Sequence, residues 1–295
     1  MGFSDKFLLG VWNVGIIERS AEQLLQEDGN IEIRWMRHPY RDRFFADPFL
    51  FSVDAQHYYI LAEEYPFYTN VGVISLLKID RKTMRLLEKQ TVLSGPCHLS
   101  YPFVYGNTVI PEAFRSNRCV AYQVENKQVA AQETVASFGL IDQTFLQYDG
   151  KEWIFATDKD NKLCGLKIFY REIGETDWHA HSGNSVKSDI RTARPGGHFF
   201  RIGNDLYRPV QDSEKLYGHR IRIMRVDELT PNTFWETEVK LLSADGNPPY
   251  DMGFHTFNAE DGFVVVDGYR EYKSYFVKPM CLKAKPIMQF LGERK

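Results

Sequence analysis

The sequence predicts an all-β protein, a five-bladed β-propeller in which the N-terminal strand closes the last blade. Short runs rich in aromatic and β-branched residues recur, separated by turn signals such as "YGNT", "YDGKE" and "IGND". Helical periodicity is confined to "SAEQLLQ" (20–26), with its capping serine. A two-strand unit returns five times at intervals of roughly 40 to 60 residues, the length of a four-stranded blade. A β-sandwich is the alternative, but a sandwich does not require the five-fold repeat that the sequence contains.

Each repeat begins with a polar or otherwise special residue ahead of an apolar strand. These leading residues are Asp47, Tyr101, Asp142, Arg194 and His255, in "FADPFLF", "LSYPFVY", "LIDQTFLQYDG", "ARPGGHFFRIGN" and "MGFHTFNAEDG". The first strands of propeller blades line a central channel, so we expect the five residues to meet at one mouth. The stretch "FLLGVWNVGII" then completes the last blade and removes exposed sheet edges. We interpret 1–295 as one domain with its core at about 44–278.

Composition excludes several classes of protein. The chain has 295 residues and is 43% hydrophobic, enough for a full core. Its 36 basic and 39 acidic side chains give a net charge of −3, so we expect no nucleic-acid partner. No apolar run reaches the roughly 18 residues that a transmembrane helix needs. The aromatic content of 14% suits strands and also stacking on sugar rings.

The four cysteines, Cys97, Cys119, Cys164 and Cys281, lie far apart and form no metal-binding or disulfide pattern. We therefore expect neither a metal nor a cofactor, and thiols in a reducing compartment. The N-terminal apolar run lacks a small-residue cleavage site, which favours a cytoplasmic protein. The motifs of serine hydrolases, zincins, P-loop proteins and Rossmann proteins are missing. The sequence does not define the oligomeric state.

Carboxylates are the first candidates for chemistry. Asp47 and Asp142 lead two different blades, and two carboxylates in one pocket can divide base and pKa-tuning roles. Glu112, in "VIPEA", follows the second strand of blade two, and its interpretations as a site residue and as an ordinary surface residue are equally good. Glu63 and Glu64 end the same strand in blade one, where alternation lets only one face inward. Glu64 is our candidate for substrate contact.

The segment "ARPGGHFFRIGNDLYRPVQD" (193–212) contributes a second set of candidates. The guanidinium groups of Arg194 and Arg208 suit carboxylate, phosphate or paired sugar hydroxyls. Arg208 and Asp212 share one face of a strand, with Gln211 beside them. Salt bridges from Arg208 to Asp212 or from Arg194 to Asp189 are an equally good structural interpretation.

Four further residues complete the predicted substrate-binding set. His255 and Asn258, in "GFHTFN", offer neutral hydrogen-bonding groups, and "HLSYPFV" adds His98 and Tyr101. A single histidine is more often structural than catalytic, unless its leading position in a blade brings it to the mouth.

The combination of "FADPFLF", "HLSYPFV", "IPEA", "LYRPVQD", "YGHRI" and "GFHTFN" resembles the N-terminal domain of plant glucosamine inositolphosphorylceramide transferases and their bacterial relatives. The resemblance runs from about Phe44 to Asp267. That domain is in turn similar to the five-bladed propellers of glycoside hydrolase families 43, 32 and 62, which act on furanosides and related glycans. In the plant proteins it is joined to a separate transferase domain.

In those hydrolases a blade-one Asp is the base or nucleophile, a later Asp tunes its pKa, and a Glu leading a following blade is the acid. The resemblance implies the first role for Asp47 and the second for Asp142. Ala193–Arg194 stands where the acid is expected, and arginine cannot donate a proton near neutral pH.

Three functions follow. The arginines hold a phosphate-activated sugar for glycosyl transfer in glycan or glycolipid biosynthesis, which we favour. Alternatively, Glu112 supplies the acid for glycoside hydrolysis. In the third, the chain is a non-catalytic glycan-binding module. The expected ligand in every case is a carbohydrate or sugar phosphate.

Overall fold

Five antiparallel sheets form the blades of a propeller in the computed structural model, which describes residues 8–113 and 115–273. The predicted all-β five-bladed fold is confirmed. The outer ends of the predicted domain, residues 1–7 and 274–295, and with them Cys281, lie outside the described residues. The prediction of a single domain stays a prediction.

The strands follow one another blade by blade, from the channel outward. Blade one contains β3 (Arg43–Val53), β4 (His57–Pro66), β5 (Val73–Asp80) and β6 (Leu86–Leu93). Blade two contains β7 (Ser100–Tyr105), β8 (Thr108–Glu112), β9 (Cys119–Glu125) and β10 (Gln128–Ala136). Blade three contains β11 (Ile141–Tyr148), β12 (Lys151–Thr157), β13 (Gly165–Glu172), β14 (His179–Ala180) and β15 (Lys187–Ser188), both of the last two pairing with β13. Blade four contains β16 (Phe200–Ile202), β17 (Asp205–Asp212), β18 (Arg220–Leu229) and β19 (Phe234–Leu242).

Blade five joins the two ends of the described chain. Its inner strands are β20 (Phe257–Glu260) and β21 (Phe263–Lys273), and its outer strands are β1 (Leu8–Ile17) and β2 (Arg34–Trp35). β1 pairs antiparallel with β21 along ten residues, from Leu8↔Lys273 to Ile17↔Val264. This ladder fastens the ring and confirms the predicted role of the N-terminal strand.

Helix α1 (Ala21–Gln26) follows β1. The hydroxyl of Ser20 accepts the backbone N–H of Gln23, and the Gln23 side chain accepts the backbone N–H of Ser20. This reciprocal capping starts the helix at the position that the sequence predicts. No helix in the described ranges is long and apolar enough to cross a membrane.

Hydrophobic side chains pack between neighbouring blades. Ile16 and Val265 of blade five, for example, contact Phe45 and Ile60 of blade one, and all four are fully buried. Each blade therefore buries two faces, which holds the inner strands in fixed positions around the channel.

The inner strands of blades one to three share a backbone device that directs their leading residues. Asp47, Tyr101 and Asp142 have positive φ angles of 49°, 40° and 48°. In each case the ladder with the second strand shifts register at this point, which marks a β-bulge. Left-handed backbone is uncommon for residues other than glycine, and its repetition shows that the first three predicted repeats are structurally equivalent.

Candidate active site

Asp47, His255 and Asp267 form a buried hydrogen-bonded group where blades one and five meet. His255 Nε2 lies 3.3 Å from Asp47 Oδ1, and its Nδ1 lies 2.6 Å from Asp267 Oδ2. Asp267 also accepts the backbone N–H groups of His255 and Thr256, both at 3.0 Å. The fully buried Asp267 therefore fixes the imidazole against Asp47.

The protonation of this group is shifted by burial. Burial raises the pKa of Asp47 to about 7, an effect that nearby His255 opposes and the Glu63, Asp267 and Asp142 charges reinforce. Burial lowers the pKa of His255, but Asp267 and Asp47 outweigh it, so the net shift is upward. Asp47 can thus exchange a proton near neutral pH, as a general base must.

A second group lies where blades two, three and four meet. Glu112 Oε2 accepts the backbone N–H of Asp142 at 3.0 Å. Arg194 Nε lies 2.5 Å from Asp142 Oδ2, and its Nη2 donates to the hydroxyl of Tyr217 at 3.1 Å. Thr157 donates to the same Asp142 oxygen at 3.0 Å. Arg194 is therefore engaged by Asp142, not by Asp189 as the structural interpretation predicted.

Glu112 differs from Asp142 in forming no ion pair with any of the described residues. Burial raises the pKa of Glu112 to about 8, Asp142 raises it further, and Arg194 only partly offsets the effect. Glu112 thus keeps its proton at neutral pH and has the protonation state of a general acid.

Tyr101 connects the two groups. Its backbone N–H donates to Asp47 Oδ2 at 3.2 Å, and its hydroxyl shares a hydrogen bond of 2.9 Å with Thr144 of blade three. Because Tyr101 is fully buried, its side chain is a spacer between blades and not a surface for ligand. The charges of Asp47 and Asp142 both raise the pKa of Glu112, so the two groups share one electrostatic environment.

Glu63, not Glu64, belongs with this cluster. Glu63 Oε1 lies 3.2 Å from His98 Nε2, and the Glu63 charge acts on Asp47. Burial lowers the pKa of His98, but Glu63 outweighs it and the pKa is raised. Glu64 instead contacts Arg43 and lies 2.8 Å from Lys89 Nζ. Neighbouring strand residues face opposite ways, so the structure places Glu63, and not the predicted Glu64, near Asp47 and His98.

Arg208 and Asp212 lie inside blade four with partners other than those expected. Arg208 is 1% exposed and makes two hydrogen bonds to Glu236, at 2.8 and 2.6 Å. Asp212 accepts two hydrogen bonds from Arg222, at 3.0 and 2.7 Å. The structure therefore does not bring either residue into the cluster, because β18 and β19 supply their partners within the blade.

Gln211 and Asn258 tie the site's loops together. Gln211 Nε2 donates to the carbonyl of Pro195 at 2.8 Å, which holds the loop that carries Arg194. Asn258 Nδ2 donates to the carbonyl of Pro48 at 2.8 Å, and its Oδ1 accepts the N–H of His198 at 2.7 Å. Asn258 thus uses both amide atoms on the backbone, whereas the buried Oε1 of Gln211 has no hydrogen-bond partner within the described residues.

Asp267, Trp12 and Tyr217 were missed by the sequence analysis. Trp12 of β1 stacks on the imidazole of His255 with centroids 3.9 Å apart, and Tyr217 lies edge-on to that imidazole. Asp267 could have been found, because it lies on the second strand of its repeat, as Glu112 does. Nothing local to Trp12 or Tyr217 indicates their neighbours.

Asp47, His255 and Asp267 are also the residues that could hold a cation. One ligand atom from each lies within 4.8 Å of the others, and all three residues are buried. The prediction of a metal-free site is untested, and the hydrogen bonds described above do not require an ion.

The fold and this cluster define a five-bladed propeller with several acidic side chains at one mouth of its channel. Residues 35–249 match the family described as "Glucosamine inositolphosphorylceramide transferase 1, N-terminal". The chain belongs to this family, which confirms the resemblance stated above.

Curated relatives and solved structures agree with this assignment. Glucosamine inositolphosphorylceramide transferase 1 from Oryza sativa subsp. japonica is 28% identical over 86% of this chain and 38% of its own length. The protein of that name from Arabidopsis thaliana is 28% identical over 66% of this chain and 27% of its own length. This chain thus spans well under half of the curated relatives that it matches.

Among solved structures, the GH43_1 enzyme from Xanthomonas citri complexed with xylotriose has a TM-score of 0.52 at 11% identity, covering 79% of this chain and 88% of that one. RS223-Beta-xylosidase has a TM-score of 0.50 at 8% identity, covering 78% and 85%. At these identities the likeness concerns the fold.

Proposed function

We propose that the channel mouth is the active site of a carbohydrate-active enzyme of glycan or glycolipid biosynthesis. Glu112 protonates the oxygen that leaves the anomeric carbon, and Asp47 acts on the opposite side as nucleophile or base. The observation that carries the proposal is the presence of these two carboxyl groups with raised pKa values in one site, beside an Asp142 already paired with Arg194.

The arrangement assigns different roles to the three acids. Asp142 lies against Arg194 and donates its backbone N–H to Glu112, so it orients the acid and adds the negative charge that raises its pKa. Asp47 is held by the N–H of Tyr101 and lies beside His255, whose imidazole Asp267 fixes. A pair of carboxyl groups with separate environments is what glycosidic bond chemistry requires.

Family membership bears on the acceptor. The curated relatives are named as transferases that act on a glycolipid, which supports transfer to a hydroxyl group over transfer to water. The same two carboxyl groups serve either acceptor, since the second step differs only in the oxygen that attacks.

A phosphate-activated sugar donor, our first expectation from the sequence, is the second candidate. Arg194 favours it, because its guanidinium lies beside the acid Glu112, where a leaving group would depart. The ion pair with Asp142 weighs against it, since a phosphate at Arg194 would have to compete with a carboxylate 2.5 Å away.

Aryl glycosides and nucleotide sugars separate these candidates. For a two-carboxyl mechanism, Asp47→Asn abolishes turnover of every glycoside. Glu112→Gln slows glycosides with poor leaving groups by 10² to 10⁴-fold but spares 4-nitrophenyl glycosides, whose leaving group needs no proton. Glu228→Gln, an exposed carboxyl on β18, is the matched control.

Other outcomes are equally decisive. Turnover of nucleotide sugars alone, lost in Arg194→Ala, would favour the phosphate-activated donor. Binding of oligosaccharides with no turnover of either substrate class would identify a glycan-binding module and reject the catalytic proposal.

A further inference from the structure

A small pocket beside the candidate active site contains an arginine that has no carboxylate partner among the described residues. It is lined by residues of β1, β21, the start of β3 and the segments before β3 and β20, and its basic side chains are His38, Arg43 and Arg270. Within residues 8–113 and 115–273, Arg270 forms no ion pair, and its buried Nε has no hydrogen-bond partner. Arg43, by contrast, is paired with Asp42 and Glu64.

Aromatic rings hold the Arg270 guanidinium in place. Its central carbon lies 4.6 Å from the ring centroid of Tyr250 and 5.2 Å from that of Tyr272. Stacking of this kind leaves the edge of the guanidinium plane, where all the donors lie, available to an acceptor. A buried guanidinium donor without an acceptor costs free energy that an anionic ligand would recover.

His38 adds a second unpartnered polar atom to the same pocket. Its Nδ1 is buried and has no hydrogen-bond partner. Burial and the Arg270 charge lower the pKa of His38 to about 4, so the imidazole is neutral at pH 7 and offers hydrogen bonding without charge repulsion. The pocket thus combines one unpaired cation with one neutral polar group.

The pocket adjoins the candidate active site. Trp12 lines it and stacks on His255, which lies 3.3 Å from Asp47. The neighbouring residue Tyr269 also contacts Trp12, with centroids 5.1 Å apart. Trp12 therefore belongs both to the lining of this pocket and to the surroundings of the group that contains Asp47.

We propose that Arg270, His38 and the surrounding aromatic rings form a subsite for the phosphate of a phosphorylated sugar, and this inference rests on the proposed carbohydrate-active function. A phosphate presents more acceptor oxygens than a carboxylate, which suits a guanidinium fork and an imidazole that approach from different residues. The subsite holds a phosphate substituent of the substrate away from Asp47, and Arg194 stays paired with Asp142.

Calorimetric titration with glucose 6-phosphate, glucose and glucuronate tests the assignment on the full chain. Wild-type protein should bind glucose 6-phosphate in preference to the other two. Arg270→Gln should weaken that binding at least tenfold, and Arg270→Lys should weaken it less because charge remains without the planar fork. Arg225→Gln, which alters an exposed arginine paired with Asp227, should bind as the wild type does.

Several results would overturn the subsite. These are no binding of glucose 6-phosphate by the wild type, equal affinity in Arg270→Gln, and Arg270-dependent binding of glucuronate that matches the phosphate. Arg270→Lys keeps the aliphatic stem and the charge, so it covers the case in which the glutamine variant fails to fold.

The titration does not depend on turnover, so the two proposals can fail separately. If Asp47→Asn and Glu112→Gln leave turnover unchanged while Arg270→Gln loses phosphate binding, the catalytic proposal falls and the subsite stands. If the carboxyl variants lose turnover and Arg270→Gln binds normally, the subsite alone is wrong.

Discussion

Glu112→Gln should make the protein's stability less dependent on pH. The folded state raises the pKa of this carboxyl from 4.5 to about 8, so between these values folded protein binds more protons than unfolded protein does. The unfolding free energy therefore falls as pH rises through this window. Glutamine keeps an oxygen to accept the Asp142 N–H and cannot ionise, so the variant lacks this contribution.

The size of the effect follows from the shift. At about 1.4 kcal/mol per pKa unit, the full rise corresponds to a ceiling of about 5 kcal/mol. Solvent reaches part of the Glu112 side chain, so we expect about 2 to 3 kcal/mol between pH 5 and pH 9. The quantity compared is the change in unfolding free energy between pH 5 and pH 9, taken as the difference between wild type and variant. This double difference cancels the titrations that are common to both proteins.

Urea denaturation at several pH values between 5 and 9 measures this difference in unfolding free energy. The wild type should lose stability relative to Glu112→Gln as pH rises, and Glu228→Gln should follow the wild type. Parallel curves for wild type and Glu112→Gln would show that Glu112 is not a buried acid, and its assignment as the proton donor would be wrong.

Three further predictions concern the same site and blade four. The pH profile of kcat/KM should be bell-shaped, rising through about pH 7 as Asp47 loses its proton and falling above about pH 8 as Glu112 loses its own. The Glu112→Gln variant should lack the falling limb, and a wild-type profile without a limb near pH 7 would exclude Asp47 as base. Asp47→Asn should abolish turnover and change the unfolding free energy at pH 6 by less than about 1 kcal/mol, as judged by rates and urea denaturation, whereas an unchanged rate would reject its role. Arg208→Met should destabilise the protein by about 3 kcal/mol, because it leaves Glu236 buried with one cation fewer, yet ligand affinity should be unchanged. Arg225→Met, at a partly exposed ion pair, should cost less than about 0.5 kcal/mol, and similar losses for the two arginines would contradict the burial argument.

The ring of blades and its leading residues could be predicted from the sequence. Strand alternation, turn residues and the five-fold repeat are local signals, and they located Asp47, Asp142 and Arg194 at blade starts before any contact was known. The N-terminal strand and α1 were predictable for the same reason, since apolar alternation and a capping serine act within a few residues.

The choice of partners was decided by the tertiary structure. Arg208 pairs with Glu236 and Asp212 with Arg222, contacts that depend on the register of β17, β18 and β19. Glu63, and not Glu64, lies near Asp47 because the register of β3 and β4 pairs Glu63 with Ala46, the residue immediately before the bulge at Asp47. A shift of one residue reverses the face of every side chain, and a sequence pattern alone does not define such a shift.

The same reasoning explains why Trp12 and Arg270 emerged only from the folded chain. The five repeats, the strands and the residues that lead them could be predicted from the sequence, because these features depend on neighbours along the chain. Burial, proton affinity and the unpaired charge at Arg270 depend on side chains that ring closure brings from opposite ends of the described chain. The ring is closed by the antiparallel pairing of β1 with β21, two strands that are far apart in the sequence.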